Sequence, residues 1–232
     1  MATFGLVHGG FHGGWCWDRL VPELEARGHQ AVAMDMPVDE ATATLTDYVD
    51  AVDDALTDVE GPVILVGHSM GGLVIPHVAN RRPVERMVFI CAMYDTDNMP
   101  DPPPGVDIPD LERLNFDMSL LTVDESFTTI DPAGAAGAFF PDCDPAEAEW
   151  AVAQLRPQGH APAIPLAAPW PDVPSSIIVC TDDRGTEYTT LCIAPVLGVE
   201  PIELPGGHSP FLSRPAHLAQ VLDDLAAEVP AT

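Results

Sequence analysis

In Gly67-His68-Ser69-Met70-Gly71 one hydroxyl stands between two glycines, at the end of the apolar run VILVG. A serine hydroxyl is a weak nucleophile until a base takes its proton, so the chain must bring a histidine to it. Of the eight histidines, His8, His12 and His68 belong to the loops around this stretch, and His29, His77, His160 and His217 fall at element ends or on helices. His208, in LPGGHSPF, follows the last predicted strand in a glycine-flanked loop and is the best-placed base. The imidazole in turn needs a carboxylate that fixes its tautomer and stabilises its charged form. IIVCTDDRG ends an apolar run with Asp182 and Asp183, one of which is the third member. The glycine-rich loop LVHGGFHGGW can aim a backbone N–H at a carbonyl oxygen, alongside the N–H of the residue after the nucleophile. Those two donors are the N–H groups of Gly10 and Met70.

These groups work only if the chain places them at the ends of strands. Phe4–His8, QAVAMDMP, residues 62–67, RMVFICAM, SSIIVCTD and GVEPIELP read as six strands. Helical segments alternate with them: 15–28, a helix capped by Thr44, one from 70 that Pro76 should kink or shorten, and a closing helix over about 215–228. Continuous apolar strands separated by helices predict an α/β fold, a mainly parallel sheet of about six strands with helices on both faces. A nucleophile on a tight strand-to-helix turn needs neighbours without side chains, which Gly67 and Gly71 supply.

The alternation breaks between the fourth and fifth strands. Residues 1–93 and 175–232 form the predicted core, and 94–174 a proline-rich insertion read as a mostly helical cap. That insertion, about 80 residues, is too long for a plain connecting loop. Phe116, Phe127 and Phe140 are its candidates for lining a pocket, the alternative being that they form the cap's own small core. Phe11 and His12 of the first glycine-rich loop are the other expected substrate contacts.

Composition narrows the function. There are 36 acidic residues against nine basic ones, all arginine, and a net charge of -27. Such a surface repels phosphate backbones and anionic lipid, which argues against nucleic-acid and membrane partners. No apolar stretch approaches the ~20 residues that span a bilayer, and MATFGLVHGG has no signal-peptide pattern, so the expected location is the cytoplasm. Five cysteines without a CxxC pair are read as reduced and buried. The expected partner is a small-molecule ester. No metal or organic cofactor is implied, and monomer and homodimer are not distinguished.

The motifs carry a family likeness over nearly the whole chain, weakest at 94–138. LVHGGFHGGWCW, VILVGHSMGG, FFPDCDPAEAEWAVAQLRP, IIVCTDDRG and LPGGHSPFLSRP resemble the α/β-hydrolase fold, and within it the plant-type branch of methylesterases and hydroxynitrile lyases. The resemblance implies Ser69 as nucleophile, His208 as base and Asp183, which precedes Arg184-Gly185, as the acid, with Gly10 and Met70 at the oxyanion hole. It also implies a choice of chemistry. The lyases of the branch carry a lysine shortly after the catalytic histidine, whose charge stabilises cyanide; here Ser209 and Pro210 follow His208 and the chain has no lysine. The resulting expectation is a serine hydrolase acting on small or aromatic carboxylic esters, methyl esters among them. The alternatives are the same triad in lactone or thioester hydrolysis, acyl transfer or C–C cleavage, and a ligand-binding receptor of low turnover.

Overall fold

The structure is a computed structural model that describes residues 1–94, 98–101, 104, 117–160, 168–183, 185 and 193–228. Its centre is a six-stranded parallel sheet. The strands are β1 (Thr3–Val7), β2 (Gln30–Ala33), β3 (Val63–His68), β4 (Val84–Ile90), β8 (Ser175–Cys180) and β9 (Ile202–Leu204), in the order β2-β1-β3-β4-β8-β9. Alternation within the strands divides the core. Phe4, Leu6, Ile64, Val66, Val88, Ile90 and Ile178 face one apolar cluster, whereas Val63, Leu65, Met87, Phe89 and Ile177 face the other. Each fully buried side chain of this size contributes about 1.5–3 kcal/mol.

Helices cover both clusters. Leu20 and Leu24 of α1 (Leu20–Glu25) pack on the first, together with Leu218, Leu222 and Leu225 of the closing helix Pro215–Ala227. Tyr48, Val49 and Val52 of α2 (Leu45–Ala55) and Val74, Ile75 and Val78 of α3 (Gly71–Ala79) pack on the second. α2 begins in a capping box in which the Thr44 hydroxyl accepts from the Asp47 N–H and Asp47 reaches back to the Thr44 N–H. Two helices differ from the sequence expectation. The segment 15–28 divides into a 3-10 turn, Gly14–Trp17, and α1, because Pro22 has no N–H to offer Asp18 and its ring crowds that carbonyl. Conversely, α3 runs through Pro76 to Ala79 instead of stopping, at the cost of one intrahelical bond, the one to the Gly72 carbonyl.

Between β4 and β8 the chain leaves the sheet. Among its described residues are α4 (Pro132–Phe139) and α5 (Pro145–Gln154), each with proline in the first turn and an aspartate, Asp131 or Asp144, capping it. Beside them lies a feature the sequence reading did not anticipate, an antiparallel sheet of β5 (Leu121–Val123), β6 (Phe127–Ile130) and β7 (Gln158–Gly159). Strands of two to four residues leave too short a pattern to register as alternation. This insert is stitched to the core near its end. The Arg156 N–H donates to the Phe11 carbonyl (2.8 Å), the Gly159 N–H to the Val38 carbonyl (2.7 Å), and the Arg156 guanidinium meets Asp35 and Asp39 at 3.1 and 3.2 Å. Among the described residues no helix is long and apolar enough to cross a membrane. Of the cysteines, Cys16, Cys91 and Cys180 are buried and free, Cys143 is free but only half-buried, and Cys192 lies outside the described residues.

The start of α3 is set by contact with β1. A Cβ on Gly71 would stand 2.5 Å from the Val7 carbonyl oxygen and 2.8 Å from that of His8, whereas a Cβ on Gly137 in α4 would meet nothing within 4 Å. Gly71→Ala is therefore expected to cost about 3 kcal/mol and Gly137→Ala to add about 0.5–1 kcal/mol. At roughly 2–4 °C per kcal/mol for a chain of this size, thermal unfolding should show shifts of opposite sign. An unchanged Tm in Gly71→Ala would mean that the helix start can retreat from β1.

Candidate active site

Because the sheet is parallel, the segments that follow its strands emerge on one side. Gly10 and Phe11 follow β1, Ser69 and Met70 follow β3, Met93 follows β4, Asp183 follows β8 and His208 follows β9. All seven line a single cavity of about 940 Å³, walled on the insert side by residues that include Leu120, Leu121, Phe139 and Gln158. The structure therefore brings Ser69, His208, Asp183, Gly10 and Met70 together.

Ser69 sits in a left-handed conformation, φ +49°, between the last residue of β3 and the first turn of α3. Its N–H donates to the Ile90 carbonyl (3.1 Å), and its carbonyl accepts from the N–H groups of Gly72 (3.0 Å) and Met93 (2.9 Å). A Cβ on Gly67 would lie 2.8 Å from the Gly71 carbonyl oxygen, so the turn can tighten only with glycine there. Strain of this kind costs of order 1–3 kcal/mol and persists where the surroundings over-determine it.

His208 Nδ1 and Asp183 Oδ2 are 3.0 Å apart, and both residues are buried. The other carboxylate oxygen, Oδ1, accepts from the Gly185 N–H (3.0 Å). Burial by itself disfavours the charged imidazolium, but the Asp183 charge and hydrogen bond, with a contact to Cys91, outweigh it and raise the His208 pKa above the ordinary 6.5. Cys91 is itself in a left-handed conformation, φ +44°. One ligand-type atom each from Cys91, Asp183 and His208 lies within 4.8 Å of the others, a donor set that the Asp183–His208 hydrogen bond already occupies.

Three more histidines surround this pair, each kept neutral by burial. His8 accepts the Met36 N–H at Nε2 (2.9 Å), so its proton is on Nδ1, which donates to the Gly9 carbonyl (2.8 Å). Burial lowers its pKa to about 4. His12 donates from Nδ1 to the Gly10 carbonyl (2.7 Å), its pKa lowered by burial to about 3. His68 donates from Nε2 to the His208 carbonyl (3.0 Å), its pKa driven well down by burial and by the neighbouring His208. Each ring thus holds a backbone carbonyl of a site loop.

The expected pocket contacts sort differently from the sequence reading. Phe11 lines the cavity. His12 does not: it lies 99% covered behind the loop, engaged with the Gly10 carbonyl. Phe140 is turned into the core against His12, and its neighbour Phe139 takes the lining position, because consecutive residues at a helix end point about 100° apart. Phe127 pairs with Gly159 in the small sheet and does not line the cavity, and Phe116 lies outside the described residues. Tyr48 and Gln158, which the sequence reading did not single out, do line it. Tyr48 belongs to the apolar face of α2, which hides its second role, and nothing local marks Gln158.

The chain matches the family model described as "Alpha/beta hydrolase family" over residues 6–221. Over 97% of its length, and 96% of the relative's, it is 28% identical to norfluorocurarine synthase 1 of Strychnos nux-vomica. It is 37% identical to methylesterase 1 of Arabidopsis thaliana over 42% of each chain. The crystal structure of polyneuridine aldehyde esterase superposes with a TM-score of 0.79 at 23% identity, covering 97% of this chain and 99% of that one.

The raised pKa has a direct readout. In an NMR titration the His208 ring should gain its second proton at a pH above 6.5, and Asp183→Asn should bring that midpoint down. A wild-type midpoint at or under 6.5 contradicts the pairing as described.

Proposed function

The chain belongs to the alpha/beta hydrolase family, and on that premise we propose that it is a carboxylic ester hydrolase working through an acyl-enzyme on Ser69. The observation that carries this reading is the convergence of Ser69 and the hydrogen-bonded His208–Asp183 pair, from three strand ends, on one cavity.

In the proposed reaction neutral His208 takes the Ser69 proton as the oxygen attacks the ester carbonyl, and Asp183 stabilises the imidazolium that forms. The alcohol leaves with the proton from His208. Water, deprotonated by the same ring, attacks the acyl-enzyme and releases the acid. The developing oxyanion is met by the N–H groups of Met70 and Gly10. Three hydrogen bonds support Gly10 as the loop's donor. His8 holds the Gly9 carbonyl, and because a trans peptide sets C=O and N–H on opposite sides, the Gly10 N–H points away from that buried ring. His12 holds the Gly10 carbonyl, and the next N–H, that of Phe11, is committed to Gln158.

The cavity supports an apolar substrate, since Leu73, Val74, Met93, Leu120, Leu121 and Phe139 are among its walls. Ligand pockets run to roughly 300–1,000 Å³, so this one, about 940 Å³, has room for an aromatic or larger acyl group on a small alcohol such as methanol. The reaction needs no metal or organic cofactor.

Three measurements test the reading. A fluorophosphonate should label wild type and not Ser69→Ala, and the substitution should lower ester turnover by about 10⁴-fold or more. Across a panel of aromatic methyl esters, acetates, lactones and cyanohydrins, the aromatic methyl esters should give the highest kcat/KM; cyanide release or exclusive lactone turnover would replace the ester assignment. Since the base must be neutral, kcat/KM should fall as pH is lowered, with its midpoint above 6.5 because the His208 pKa is raised. A flat rate between pH 8 and pH 5 would contradict His208 as the base.

A further inference from the structure

We propose that Gln158, in the insert, is a positioning residue for the oxyanion hole, holding the Gly10–Phe11 peptide in the orientation that leaves the Gly10 N–H available. This rests on the serine-hydrolase reading above. Phe11 has φ +63°, a left-handed conformation that is unfavourable for a side-chain-bearing residue and must be held from outside. Its two backbone polar groups are both taken by the insert. The carbonyl accepts from the Arg156 N–H at 2.8 Å, and the N–H donates to Gln158 Oε1 at 3.3 Å. The preceding Gly10 carbonyl is held from the core side by His12 Nδ1 at 2.7 Å. The peptide between Gly10 and Phe11 is therefore gripped at both edges, once from the core and once from the insert.

The Gln158 amide has its own orientation fixed. Nε2 donates to the Tyr48 hydroxyl (2.9 Å) and to the Gly159 carbonyl (3.2 Å), which turns Oε1 toward the loop. Tyr48 is anchored in α2 and buried. A Cβ placed on Gly10 would come within 3.2 Å of Oε1, a measure of how closely the amide approaches the loop. Both Nε2 hydrogens and one Oε1 lone pair are thus spent on protein groups, although Gln158 lines the cavity. An amide so committed has little left to offer a substrate and acts through the peptide it holds.

A donor displaced by about 1 Å can cost up to ~10²-fold in rate. Gln158→Leu should slow fluorophosphonate labelling of Ser69 about tenfold or more, lower kcat on the best ester by a similar factor and leave KM within about twofold. Affinity for a trifluoromethyl ketone, which mimics the tetrahedral intermediate, should fall in step with kcat. Tyr48→Phe keeps the Phe11 contact but frees the amide, so its rates should fall between those of wild type and Gln158→Leu; it decides the matter if Gln158→Leu does not fold. A rise in KM at unchanged kcat would make Gln158 a substrate contact, and unchanged labelling in both variants would make it merely structural; either overturns the proposal. If wild type reacts with the probe yet hydrolyses no ester, the ester reading falls while the labelling rates still decide Gln158. A wild type inert to the probe removes both.

Discussion

Three backbones meet around Ser69 closer than side chains would allow. The first turn of α3 lies against the carbonyls that end β1, the turn before it lies against α3 itself, and a Cβ on Gly9 would stand 2.8 Å from that of Ser69. Glycine permits these distances between strand, turn and helix, and the serine that joins β3 to α3 takes a left-handed conformation. The sheet order follows the same need. β3 sits centrally between β1, which carries the glycine-rich loop, and β4, and the Ile90 carbonyl at the end of β4 receives the Ser69 N–H.

Around that turn, imidazoles serve as internal hydrogen-bond donors. His8, His12 and His68 each spend a ring proton on a carbonyl of a site loop, and burial keeps them neutral so that the ring has one donor and one acceptor rather than two donors. His208 lies among them with the opposite sign of shift. The difference is a buried carboxylate: Asp183 is hydrogen-bonded to His208 at 3.0 Å, whereas the Asp35 carboxylate 3.7 Å from His8 is exposed and does not offset that ring's burial. Two protonated rings at such spacing would repel strongly in so dry an environment.

The legible part of the molecule was the part built from local pattern. Apolar runs that end in glycine or aspartate marked β1, β3 and β8, and Gly10, Ser69 and the pair Asp182–Asp183 just beyond them could be named because strand ends of a parallel sheet share one side; the choice of Asp183 within the pair came from the family likeness. What was not legible depended on single rotations or long-range pairing. Phe139 and Phe140 are indistinguishable as neighbours, and one residue of helical twist decides which faces the cavity. His12 reads as a loop histidine near substrate, and only the fold of the loop turns it back on the Gly10 carbonyl. Gln158 lies in a strand of two residues, and its partners stand 147 and 110 positions away, so no window of sequence contains the pattern.

The stitching between insert and core has a mechanical consequence. The insert's hydrogen bonds to the backbone of the glycine-rich loop come from Arg156 and Gln158, while Leu120, Leu121, Phe139 and Pro141 line the cavity from other parts of the insert. The backbone ties to the loop and the apolar lining therefore come from different stretches of the same segment. A side chain such as Leu120 or Pro141 could be exchanged without breaking either of those ties. The insert is in this sense an adaptor, clipped to the core by a few residues at its trailing end.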